Sequence, residues 1–164
     1  MKMNPDRCLL GIATIFDRPS PNDGRSWSAE HFEQFLDSEM GIPLLVDHGP
    51  LINSWGVTPS VGTARWFAPV TYPVTGLLCL AELDYADGWG DSLLHDIDSI
   101  LRQRWLPAAW AMSVGAYLTE DAVLPYEVSL TRRPAFEDAR VLAVGAGALA
   151  TWEMLTERRI VADR

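Results

Sequence analysis

Residues 110–134 read WAMSVGAYLTEDAVLPYEVSLTRRP, and the phase of this stretch decides the fold. Over Trp110–Leu118, Trp110, Met112, Val114, Ala116 and Leu118 share one face, and Ala111, Ser113, Gly115 and Tyr117 share the other. Over Leu124–Thr131, Leu124, Tyr126, Val128 and Leu130 alternate with Pro125, Glu127, Ser129 and Thr131. Successive side chains of a strand point to opposite sides of the sheet, so each run reads as a strand with one apolar face. The polar triplet Thr119-Glu120-Asp121 between them predicts a hairpin. A turn centred on Glu120 sets Ser113 opposite Glu127 on the non-core face.

Working outward, Cys8–Phe16 (CLLGIATIF) reads as a strand buried on both faces, and Asp17–Arg25 (DRPSPNDGR) as a loop. Ser28–Leu36 suits a short helix with Ser28 as N-cap and Phe32, Phe35 and Leu36 on one face. Pro43–Asp47 is a short strand ending at His48, before a Gly/Pro/Asn loop. Val61–Phe67 and Gly76–Leu83 are two strands joined by a proline-containing turn. Asp91–Arg104 is the clearest helix: Leu93, Leu94, Ile97, Ile100 and Leu101 form one stripe, and Pro107 ends it. Ala148–Arg159 suits a closing helix. The pattern predicts an α+β, β-rich fold, a barrel or sheet of about six or seven strands with helices outside it.

Composition narrows the function. At 164 residues the chain is expected to form a single domain over 1–164, with the closing helix at about 148–160. It is 48% hydrophobic and 21% charged, as soluble globular proteins are. Thirteen basic against 22 acidic residues leave a net charge of −9, which argues against a sequence-independent nucleic-acid binder. Cys8 and Cys79 each lie in an apolar run and read as small buried hydrophobes. No apolar run approaches the roughly 18 residues of a membrane span. Lys2 and Arg7 before CLLGIATIF faintly resemble a signal peptide, but Asp17, Arg18 and Pro19 follow where a small-residue cleavage site would stand. No HExxH, Walker loop, EF-hand spacing or GxGxxG after a strand is present, so neither metal nor cofactor is expected.

A histidine, a serine and a carboxylate are the parts of a serine hydrolase if they converge. Ser113 shares its face with Ala111 and Gly115, which would leave room for a substrate backbone. Glu127 is its expected cross-strand neighbour. A directly opposed pair is tight for an intervening imidazole, so an offset or bulge is expected. His31 and His95 lie in helical segments among polar neighbours, whereas His48 ends a strand where a side chain can project into a cleft. Asp47 is an alternative orienting acid, disfavoured because adjacent strand residues face opposite ways. Arg132 and Arg133, just beyond the second strand, could support an oxyanion through a backbone N–H or an arginine-held water. Taken singly, each residue has a commonplace structural reading: an inert strand serine, a solvated glutamate, a structural histidine, a solvated basic pair.

The order and spacing of GIATIFD, LLVDHG, VGTARWF, GLLCLAEL, AMSVGAY and EVSL running into RRPAFEDA resemble the prohead proteases. These are the capsid maturation serine proteases of tailed bacteriophages, related in fold to the herpesvirus assemblins. The resemblance spans about Leu9 to Ala139. It implies an assemblin-like β-barrel of mostly antiparallel strands surrounded by helices. It implies Ser113 as nucleophile, His48 as general base and Glu127 as third member, where assemblins carry a second histidine. Arg132 and Arg133 match the arginine pair that supports the oxyanion in assemblins. Implied substrates are the major capsid protein, its scaffold segments and the protease itself, inside the immature capsid in the host cytoplasm. A homodimer is implied, with no nucleic-acid or membrane partner. The alternatives are a catalytically inactive assembly or scaffolding module retaining the fold, and a β-barrel ligand-binding protein.

Overall fold

A computed structural model describes residues 3–38, 40–48, 60–84, 89–102 and 110–157. Its strands are β1 (Cys8–Ile15), β2 (Ile42–Val46), β3 (Gly62–Val70), β4 (Gly76–Leu83), β5 (Ala111–Leu118), β6 (Val123–Thr131) and β7 (Val141–Val144). They form one sheet in the order β5-β6-β2-β3-β4-β1-β7. Every neighbouring pair is antiparallel except β2 and β6, which run parallel. The helices are α1 (Glu33–Asp37), α2 (Trp89–Arg102) and α3 (Ala146–Thr156).

The sheet curls until its two ends meet. Met112 N–H donates to Ala139 O at 2.9 Å, and Ala111 bridges to Arg140. Gly11 makes this closure possible. A Cβ there would lie 2.8 Å from both Arg140 O and Met112 Sδ, so only glycine lets β1 approach β5 so closely.

Curling gives the sheet an inside and an outside, and both are covered. Leu9, Leu44, Met112, Val128 and Leu130 pack inside, joined by Ile97 of α2. Cys8, Leu10, Ile12, Leu78 and Leu80 pack outside against Ala148, Leu149 and Trp152 of α3. That is why β1 is a continuous apolar run, as its sequence predicts: every one of its residues is buried. Burying one such Leu or Ile contributes roughly 1.5–3 kcal/mol.

Several sequence-based boundaries move. The strand expected over Val61–Phe67 continues to Val70. The helix expected over Ser28–Leu36 is a 3-10 turn, Ala29–Phe32, closed by the His31 N–H bond to Ser28 O at 3.3 Å and followed by α1. The expected closing helix begins two residues early and ends at Thr156. Strand β7 is too short to register as an alternation in the sequence. The loop after His48, the end of the Asp91–Arg104 helix with Pro107, and the part of the expected tail helix beyond residue 157 lie outside the described residues.

Candidate active site

The polar face of the β5–β6 hairpin holds the site. The register pairs Ser113 with Ser129 and Gly115 with Glu127, not Ser113 with Glu127. The physical reason is a bulge: Gly115 and Ala116 pair with Glu127 and Pro125, leaving Tyr126 without a partner on β5. The irregularity falls beside Pro125, which has no N–H to give to the ladder. Glu127 therefore sits one step diagonally from Ser113 on the same face, the offset that an imidazole requires.

Gly115 serves a different purpose from the expected one. A Cβ at this position would lie 2.9 Å from Glu127 Cγ and 3.0 Å from its Cδ. The missing side chain makes room for the glutamate, not for a substrate backbone. Glu127 is accordingly only 5% exposed instead of solvated. A buried carboxylate needs hydrogen-bond partners, and it has two. His48 Nδ1–H donates to Oε1 and Ser129 Oγ–H donates to Oε2, each at 2.7 Å.

The parallel β2–β6 pair brings His48 here. Val46 pairs with Leu130, and Asp47 N–H donates to Leu130 O at 2.8 Å. The chain then turns back over the face of β6 through two successive residues with positive φ, Asp47 at 51° and His48 at 57°. Asp and His are among the non-glycine residues that tolerate this region, at a cost of roughly 1–2 kcal/mol each. The His48 N–H is held by Ser129 Oγ at 2.9 Å.

An ionised carboxylate only accepts hydrogen bonds, so the proton of the neutral ring lies on Nδ1 and Nε2 carries the free lone pair. The hydrogen bond to Glu127 raises the His48 pKa above its ordinary value; partial burial opposes the shift, and the charges of Glu127 and Asp47 add to it. Asp47 itself makes no side-chain hydrogen bond to His48, so Glu127 is the carboxylate that orients the ring.

His48 and Ser113 line one cleft of about 230 Å³. Its floor includes Ala13, Thr14, Met112 and Val114, and one wall comes from the loop after β1, through Ser20, Asn22, Asp23 and Trp27. Ser113 is 8% exposed and makes no hydrogen bond to His48 among the described residues. The geometry thus joins His48 to Glu127 directly and to Ser113 through the shared cleft.

The arginines lie elsewhere. The Arg132 guanidinium sits 5.0 Å from the centre of the Trp110 ring, a cation–π contact, and Arg133 N–H donates to Thr131 Oγ1 at 3.0 Å. Neither is among the residues that line the cleft. The other two histidines stay out of the site: His31 caps the turn at Ser28, and His95 is exposed on α2.

Sequence reasoning missed Ser129. It is fully buried, lies directly across from Ser113, and bonds both Glu127 and the His48 backbone. The signal was available in the phase of the strand, since Ser129 follows Glu127 by two residues and so shares its face.

A solved structure of the Kaposi's sarcoma-associated herpesvirus protease, in complex with an allosteric inhibitor, superposes on 92% of this chain and 83% of its own length. The TM-score is 0.50 and the sequence identity 13%. The chain therefore has the herpesvirus-protease type of fold, as the assemblin-like expectation held. No family model matches the chain, and no curated protein sequence is significantly similar to it.

Proposed function

We propose that this chain is a serine endopeptidase of the prohead type, processing capsid and scaffold proteins, and itself, within the immature capsid of a tailed bacteriophage. The observation that carries this reading is the 2.7 Å bond from His48 Nδ1 to a buried Glu127, at the mouth of a cleft that Ser113 also lines. In the reaction, Ser113 Oγ attacks the scissile carbonyl while His48 Nε2 takes its proton. Glu127 holds the tautomer and stabilises the imidazolium that forms. The same imidazolium then protonates the leaving amine, and water releases the acyl group by the reverse sequence. Arg132 and Arg133 are the candidates for supporting the oxyanion, which requires them to act through a water or a side-chain rotation towards the cleft.

A peptide substrate also suits the scaffold. Met112 N–H points away from β6, and by the alternation of β5 so do the backbone groups of Val114 and Ala116. No described strand pairs with that edge at Val114 and Ala116, and both residues line the cleft. An extended peptide can add there as a further strand, its carbonyls beside Ser113. A homodimer completes the proposal, on the resemblance alone.

Coexpression with a tailed-phage major capsid protein carrying its scaffold segment tests the reading by intact mass. The native chain should trim that protein and Ser113→Ala should not, since a triad protease without its nucleophile keeps only about 10³–10⁴-fold catalysis over water. Equal trimming by both would sink it. Retention of the cleavage in His48→Gln would show that another group is the base. The lack of a hydrogen bond between Ser113 and His48 favours the second reading, a non-catalytic assembly module, for which neither chain would trim the capsid protein.

A further inference from the structure

We infer that Ser129 is a positioning residue for the proposed reaction, its hydroxyl tying the Glu127 carboxylate and the His48 backbone into one rigid unit. The inference rests on the protease reading of the same site. Ser129 is no nucleophile: it is fully buried and does not line the cleft. Its hydroxyl has one proton and two lone pairs, and the site uses both functions. The proton goes to Glu127 Oε2 at 2.7 Å, and a lone pair accepts the His48 N–H at 2.9 Å.

Each bond removes a freedom that the His48–Glu127 pair would otherwise keep. With Oε2 held, the carboxylate cannot rotate its plane, so Oε1 stays aimed at Nδ1. With the His48 N–H held, the left-handed turn at Asp47 and His48 is pinned on the face of β6. The same hydroxyl therefore sets both ends of the 2.7 Å bond that orients the imidazole. The register adds a third link, because Ser129 is the cross-strand partner of Ser113. One hydroxyl thus ties the base to its orienting acid, on the strand position directly across from the proposed nucleophile.

The test compares Ser129→Ala and Ser129→Thr in the full chain, reading kcat and KM on a capsid-derived peptide and the His48 titration by NMR. The groups whose charge acts on His48 are Glu127 and Asp47, and neither is altered. Ser129→Ala should lose about 10²-fold in kcat, as expected for a small misplacement of a reacting group, with KM nearly unchanged. Its His48 pKa should fall towards the ordinary histidine value, because Glu127 is no longer held in line. Ser129→Thr keeps the hydroxyl and should retain both properties. If Ser129→Ala does not fold, Ser129→Cys, close in size and a weak hydrogen-bond former, takes its place with the same expectation. An alanine or cysteine chain that turns over and titrates like the native one would overturn the inference, as would a threonine chain as impaired as alanine. The titration needs no substrate. A native chain without peptidase activity would therefore defeat the protease reading, while a lowered His48 pKa in Ser129→Ala would still support the positioning role.

Discussion

If the proposed function holds, His48 should set opposite pH dependences for activity and for stability. Its hydrogen bond to Glu127 raises its pKa above the ordinary 6.5. A general base must be neutral, so peptidase activity should climb as pH rises through that raised value. Stability runs the other way. A pKa raised on folding contributes stability that is complete below the unfolded value and is lost as pH rises through the folded one. Melting temperature in the native chain should therefore fall, relative to His48→Gln, from about pH 6.5 upward. Glu127→Gln should shift the activity limb to lower pH and cut kcat by roughly 10²–10⁴-fold, through loss of the Nδ1–H tautomer. Parallel profiles in Glu127→Gln and the native chain would refute the orienting role. At Gly115 the expectation is steric. Gly115→Ala places a methyl 2.9 Å from Glu127 Cγ and should destabilise by about 1–3 kcal/mol while displacing the carboxylate. Chemical denaturation, together with loss of the raised His48 pKa, checks both effects.

Elements decide which of these residues meet. The alternation in β5 and β6 was legible, so the shared face of Ser113, Glu127 and Ser129 was too. The bulge was legible only as a need, because what places it is the pairing around Pro125 and Tyr126. The route of His48 was less legible still. A short strand ending in Asp-His says nothing of its neighbour, and β2 finds β6, far along the chain, as its parallel partner. The loop after β1 makes a prediction at this scale. Arg18 Nη1 bonds Asp138 Oδ2 at 2.8 Å, fastening the cleft wall that carries Ser20 and Trp27 to the segment after β6. The pair is exposed, so Arg18→Ala should change stability by less than about 1 kcal/mol. It should raise KM several-fold on capsid peptides by releasing the wall. Unchanged KM alongside an unchanged melting temperature would mean the ion pair is incidental.

Across the molecule, a doubly covered curled sheet separates stability from chemistry. Trp152, 1% exposed, lies on the inner side of α3 against Leu10, Ile12, Leu78 and Leu80 of β1 and β4, away from the β5–β6 hairpin that holds the site. Trp152→Ala should cost about 3–5 kcal/mol in denaturant unfolding yet leave kcat per folded molecule near the native value. A comparable loss in kcat would show that the packing under α3 reaches the site. The sequence by itself determined the local quantities: strand phases, the apolar character of both faces of β1, and the set of residues able to do acid–base chemistry. These follow from side-chain periodicity and titration chemistry, which a single segment carries. Only the tertiary structure decided that Glu127 is buried, that Gly115 makes room for it, that Ser129 holds it, and that Arg132 lies over Trp110. Those facts depend on the register between strands and on contacts across many residues, where a shift of one position exchanges one face of the sheet for the other.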